Sequence, residues 1–116
     1  YLLAVRGEQL DEAIQLVQRA LKEDPDNGAY LDSLGWAYFR RGSLDEAEKY
    51  LVAAVKQLPE NSEIQDHLGD LFARRGRLAD AVGAWTRALA GDGQDIDKDA
   101  IEKKISGAKG KIQNAK

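Results

Sequence analysis

His67 is the one side chain of this 116-residue chain whose ordinary titration falls near neutral pH. It stands beside Asp66, three residues before Asp70 and four after Glu63. A histidine among carboxylates could hold a metal ion or serve as an acid–base pair. Catalysis also needs an orienting partner and a sheltered pocket, and a lone histidine in a chain without cysteine offers little of either. Glu63, Asp66 and Asp70 are equally at home on a solvated helix face, so no catalytic, metal-ligating or cofactor-binding set is assigned. A second group, Asp32, Trp36, Phe39 and Arg40, mixes aromatic and charged residues of the kinds that anchor protein partners. A third, Arg40-Arg41, Arg74-Arg75 and Arg77, forms a basic edge and reads as solvated helix ends favoured by the helix dipole.

What positions these residues is a repeat. The stretch from Leu31 to Pro59 recurs when the chain is shifted by 34 residues in either direction. Pro25 becomes Pro59, Leu10-Asp11-Glu12-Ala13 becomes Leu44-Asp45-Glu46-Ala47, and Ala20-Leu21 becomes Ala54-Val55. Forward, Leu34-Gly35 becomes Leu68-Gly69, Tyr38 becomes Phe72, Arg40-Arg41-Gly42 becomes Arg74-Arg75-Gly76, Ala47 becomes Ala81 and Leu51 becomes Trp85. A fixed period of this length is the mark of stacked helical units, each unable to bury its apolar face alone.

Composition limits the partners. The net charge of −3 provides no basic field for nucleic acid or acidic membranes. No apolar run approaches the ~18–20 residues of a membrane span. With no cysteine, disulfides and thiolate metal sites are excluded and the compartment is left open, cytoplasmic or periplasmic. The opening Tyr1-Leu2-Leu3-Ala4-Val5 is apolar and uncapped, without initiator methionine or signal peptide, and reads as a trimmed piece of a longer protein. Its exposed apolar edge of Leu2, Leu3 and Val5 is expected to drive concentration-dependent homo-oligomerisation.

Taken in order, residues 1–6 read as the end of a helix stopped by Gly7, followed by a helix over 10–23 with Leu10, Ala13, Ile14, Val17, Ala20 and Leu21 inward. Residues 24–28 read as a turn. Helices are expected over 29–41, with Leu31, Leu34, Ala37 and Tyr38 inward, and over 44–58, with Ala47, Tyr50, Leu51, Ala54 and Val55 inward. Gly42 breaks them in the left-handed conformation. Ser62 is the expected N-cap of a helix over 63–75, Gly76 the next break, and 78–90 the next helix, carrying Ala81, Val82, Trp85, Ala88 and Leu89. Gly91-Asp92-Gly93 stands where the closing proline should be. A last helix from about Asp97 to beyond Gly107 has one stripe, Ile101, Ile105, Ala108 and Ile112, while Glu102, Lys103, Lys104, Lys109 and Lys111 solvate the rest. That is the pattern of a terminal cap, frayed at its end by Gly107 and Gly110.

These residues resemble the tetratricopeptide repeat (TPR) family. Its pattern of a large residue, then Leu-Gly, Tyr, Ala, a large apolar residue and Pro is met by Leu31, Leu34-Gly35, Tyr38, Ala47, Leu51 and Pro59. Gln65, Leu68-Gly69, Phe72, Ala81 and Trp85 form a second copy, and Ala13, Val17 and Pro25 a partial one. The phrasing of residues 30–36 is similar to that of bacterial multi-repeat proteins, the chain resembling the C-terminal part of one, cytoplasmic or periplasmic and outer-membrane-associated. The resemblance implies an all-α, right-handed α-solenoid of helix-turn-helix hairpins. It divides the chain into a TPR array over 1–93 (partial repeat 1–27, repeats 28–61 and 62–93) and a capping helix with a frayed tail over 94–116.

The resemblance also implies a non-catalytic scaffold that binds a peptide or protein segment in a concave groove. By family position that groove is lined by Ala29, Asp32, Ser33, Trp36, Phe39 and Arg40, then by Glu63, Asp66, His67, Asp70, Ala73 and Arg74. One TPR subclass grips C-terminal carboxylates with lysine and asparagine at these places. Asp32, Trp36, Asp66 and Asp70 stand there instead and would repel such a ligand. A ligand with a basic or polar side and an apolar anchor over Trp36 and Phe39 is expected. The alternative is a structural or regulatory region of a larger enzyme or envelope complex. No cofactor and no nucleic acid partner is expected.

Overall fold

A computed structural model describes residues 7–115 and is all-α: no strand occurs among the described residues. Six helices follow one another, α1 (Gly7–Glu23), α2 (Gly28–Arg41), α3 (Leu44–Gln57), α4 (Ser62–Arg74), α5 (Leu78–Ala90) and α6 (Lys98–Asn114). The chain divides after Leu58 into two compact units, each of three helices. Leu2, Leu3 and Val5, expected to form an associating edge, lie outside the described residues.

In the first unit α2 packs antiparallel on α3 and α1 packs on α2. Its core is Leu10, Ile14, Leu31, Leu34, Ala47, Leu51 and Ala54. Ala13, Val17, Ala20 and Leu21 share the α1 stripe but are only half-buried. The hairpin closes tightly because a Cβ on Gly35 would lie 2.7 Å from the Leu51 side chain and 3.0 Å from its backbone nitrogen. Gly42 ends α2 with φ 88°, a left-handed conformation that a side chain disfavours, and Gly76 does the same with φ 79°. Tyr38 stacks on Tyr50 at 5.7 Å between ring centroids, and its hydroxyl accepts from Gln18 Nε2. Arg41 pairs with Asp11 at 2.7 Å. Both side chains are about half exposed, so that pair adds at most ~1 kcal/mol.

The second unit repeats the hairpin with α4 and α5, and α6 then packs on α5. Ile64, Leu68, Leu71, Phe72, Ala81, Ala84, Trp85 and Ala88 form its core, joined by Ile101 and Ala108 from α6. Of the expected α6 stripe, Ile105 and Ile112 are only half-buried. α6 opens like the first helix of a repeat. Asp97 accepts the Ala100 N–H as Asn27 accepts that of Tyr30 and Asn61 that of Ile64. Eight residues past those caps stand Gly35 and Gly69, but Ile105 in α6. A partner helix cannot approach α6 as α3 approaches α2.

Three local expectations are corrected. Gly7 does not break the chain: it is helical, the first described residue of α1, which runs on through Glu8 and Gln9. Gly28 belongs to α2 rather than the turn. Ser62 is the first residue of α4 and not its cap; Asn61 is. The reason lies in the segment that replaces the closing proline. Asp92 returns to the start of α4, donating its N–H to the Glu60 carbonyl at 2.8 Å and accepting the Ser62 N–H at 3.1 Å. The fully buried Ser62 hydroxyl accepts the Gly93 N–H at 2.8 Å. Ser62 is thus committed to this clasp, and Asn61, at the repeat position of Asn27, takes over the cap. Asn61→Ala is expected to cost about 1 kcal/mol in urea unfolding, the usual value of a side-chain cap. The Gln94 N–H, with that of Ser62, holds the Asp92 carboxyl below the ordinary carboxylate value, so acid loosens the clasp.

Candidate functional site

The expected site residues fall on two helices, one in each unit. On α2, Trp36 and Phe39 lie one turn apart and stack, with centroids 4.8 Å apart and planes 18° from parallel. Both remain partly accessible. Leu31 and Leu34, at the inward positions of the same helix, are buried on the hairpin side, so the aromatic pair is a feature added to that core. Asp32, one turn before Trp36, is buried to 7% exposure, whereas Arg40 is exposed in the last turn, where the helix dipole favours a cation. Ala29 and Ser33 are exposed.

On α4, Glu63, Asp66, His67, Asp70 and Ala73 are half-buried and Arg74 is exposed. Asp66 and Asp70 lie one turn apart, and both are engaged by Lys104 of α6, at 2.7 and 2.8 Å. Asp70 also accepts the Trp85 indole N–H at 3.1 Å, and the Lys104 ammonium lies 5.4 Å from the centre of the same ring. The side chains of Lys104, Asp66 and Asp70 keep 33, 20 and 27% of their exposure, so water screens this triad less than a surface pair. Lys104 was expected to solvate α6. Instead it stands on the inner side with Ile101 and Ala108, one turn from each, and its aliphatic stem can reach over Trp85.

Burial works against the charge on Lys104, but the Asp66 and Asp70 hydrogen bonds and charges outweigh it and hold the ammonium above the ordinary value of 10.5. A raised folded-state value means stability that is present in full below pH 10.5 and lost as pH climbs through the folded value. Thermal unfolding from pH 8 to 12 checks this. Wild type should exceed Lys104→Met in the lower half of that range, and the difference should vanish at the top.

Two clefts accompany these faces, and no periodicity in the sequence pointed to either. One, of about 300 Å³, is floored by Leu21, Leu31, Leu34 and Tyr50, with Gln18, Lys22 and Pro25 at its rim. The other, of about 290 Å³, lies among Ala73, Leu78, Trp85, Lys104, Gly107, Ala108 and Lys111. Within the arginine edge, Arg41 pairs with Asp11, and Arg77 pairs with Asp80 at 2.9 Å and lies over the Phe72 ring. No helix among the described residues is long and apolar enough to cross a membrane.

Comparison with known proteins places this geometry. The TPR domain of Sgt2 from Aspergillus fumigatus superposes with a TM-score of 0.83 at 25% identity, over 93% of this chain and 71% of that one. The type III secretion chaperone SycD of Yersinia enterocolitica, in complex with a peptide of the translocator YopD, gives 0.81 at 15% identity, over 90% and 83%. The first TPR domain of Spaghetti (RPAP3), bound to the HSP90 peptide SRMEEVD, gives 0.76 at 24% identity, over 87% and 80%. At 15 and 24% identity the last two likenesses show the fold alone. No curated protein matches the chain. A sequence model described as tetratricopeptide repeat matches residues 4–71, more than half of the chain. With its Leu-Gly and Pro positions filled twice and its hairpins built on them, the chain belongs to the tetratricopeptide repeat family.

Proposed function

We propose that this protein is a non-catalytic interaction module that takes a peptide or protein segment on the first helices of its hairpins, α2 and α4 each offering a face of its own. The observation that carries the reading is the Trp36–Phe39 stack, an aromatic pair left partly accessible and flanked by Asp32 and Arg40. Stacked rings offer a large apolar surface at little cost in side-chain entropy. The peptide-bound relatives support the class of function. They do not support the same ligand. SRMEEVD is an acidic peptide, and the carboxylates at Asp66 and Asp70 oppose one. The ligand for this chain is an extended or helical segment with an apolar anchor over Trp36 and Phe39 and basic or polar neighbours.

One observation favours a second reading, in which the repeats contact their own parent chain. A side chain of the same polypeptide, Lys104, already stands on the α4 carboxylates. Selection from a random peptide display library on the immobilised chain separates the two. A scaffold should enrich peptides that combine an aromatic or aliphatic anchor with lysine or arginine and bind at micromolar Kd. If selection enriches nothing and only fragments of the parent chain bind, the second reading stands.

A further inference from the structure

We propose that α6 is a displaceable occupant of the α4 face, with Lys104 standing where a basic side chain of the partner would stand. The inference rests on reading α4 as part of a ligand face. It goes beyond that reading by assigning the face an occupant built into the fold.

The Lys104 ammonium has the surroundings of a recognised cation: two carboxylate oxygens at 2.7 and 2.8 Å and the Trp85 ring at 5.4 Å. Trp85 also donates its indole N–H to one of those oxygens, Asp70 Oδ1. Beyond Lys104 the hold of α6 is thin. Ile101 and Ala108 are its buried apolar side chains, whereas Ile105 and Ile112 are half-buried and most of its polar residues face water.

The glycines argue in the same direction. Gly107 and Gly110 stand inside α6, yet a Cβ at either would meet no atom within 4 Å. Both have ordinary helical backbones, since neither is among the residues with positive φ. Neither packing nor conformation requires glycine, so their effect is to weaken the helix relative to alanine. A Cβ on Gly69, by contrast, would lie 2.3 Å from the Trp85 ring, so this residue can be nothing larger. The second unit therefore joins a tight hairpin to an intrinsically weak third helix, held by Ile101, Ala108 and one lysine. Opening of α6 bares Asp66, Asp70 and one face of Trp85 together, which are the groups a basic segment with an apolar residue needs. Local opening of such a weakly held element is drawn from the low end of the stability range of a fold.

Amide hydrogen exchange on the full chain, read helix by helix, tests this without any identified partner. In wild type, α6 should exchange at least tenfold faster than α4 and α5. Lys104→Met should speed α6 about tenfold further and leave α4 and α5 unchanged, and Lys104→Arg should restore most of the protection. Gly107→Ala with Gly110→Ala, which adds helix propensity and cannot unfold the unit, should slow α6 about tenfold. Tetralysine amide should speed α6 in wild type more than sodium chloride at the same ionic strength. Exchange of α6 in step with α5 in all four proteins overturns the proposal, as does tetralysine acting no better than salt. Because the readout is α6 itself, an α6 that opens while no peptide binds α2 counts against the proposed function and leaves this device standing.

Discussion

Replacing Trp85 by alanine is expected to destabilise the second unit by about 3–5 kcal/mol, the range for truncating a buried tryptophan. Three effects act together. The ring is 4% exposed and fills the space over Gly69, so its loss leaves a cavity against α4. Its indole N–H leaves Asp70, which is half-buried and keeps only the Lys104 bond among those described. Lys104 loses the ring beneath its ammonium. Urea unfolding followed by far-UV circular dichroism measures the cost. Trp85→Leu gives a second reading, because leucine occupies the same repeat position at Leu51, where it packs on Gly35. It should cost about half as much, since most of the apolar volume remains and only the polar contacts go. A loss under 1 kcal/mol for the alanine variant would mean that α5 and α4 are not held by this ring.

The second large effect falls on binding. Trp36→Ala is expected to weaken a selected peptide by about 30-fold or more in Kd, the ~2 kcal/mol of an interface anchor. The fold should survive it. Trp36 is only half-buried and stacks on Phe39, a contact worth about 0.5–1.5 kcal/mol, while Leu31, Leu34 and Leu51 hold the hairpin. Helicity and the urea midpoint, recorded beside the titration, decide between two roles for the ring. Selective loss of affinity marks a binding residue. Collapse of helicity marks a packing residue, and α2 then needs no ligand to explain its aromatic pair.

How far the sequence could be read follows from which interactions are periodic. The hairpins were legible because each rests on a pair that recurs with the repeat: Gly35 under Leu51 and Gly69 under Trp85, both closing to less than 3 Å for an added Cβ. The breaks at Gly42 and Gly76 were legible for the same reason. The N-cap of α4 was open to the same argument, because Asn61 stands 34 residues after Asn27 in the turn before α2. Ser62 drew attention only as a good capping residue. Its buried clasp with Asp92 and Gly93 falls where the repeat departs from its pattern, so no register could announce it.

Lys104 departs from the pattern of α6 for a deeper reason. A helical wheel sorts α6 into apolar and charged residues and sends every lysine to water. Whether one lysine turns inward depends on Asp66 and Asp70, which lie 38 and 34 residues earlier on another helix. The repeat position of those two carboxylates marks them as ligand-facing. Nothing local in α6 shows that its own lysine reaches them.

The claim that α2 carries the ligand is tested most directly by nitrogen–proton NMR mapping of the whole chain with a library-selected peptide. The account predicts that the Trp36 indole N–H and the backbone amides of α2 around Phe39 and Arg40 shift progressively to saturation. Shifts confined to the cleft of Leu21, Leu31 and Tyr50, with the Trp36 indole unmoved at saturation, would contradict it.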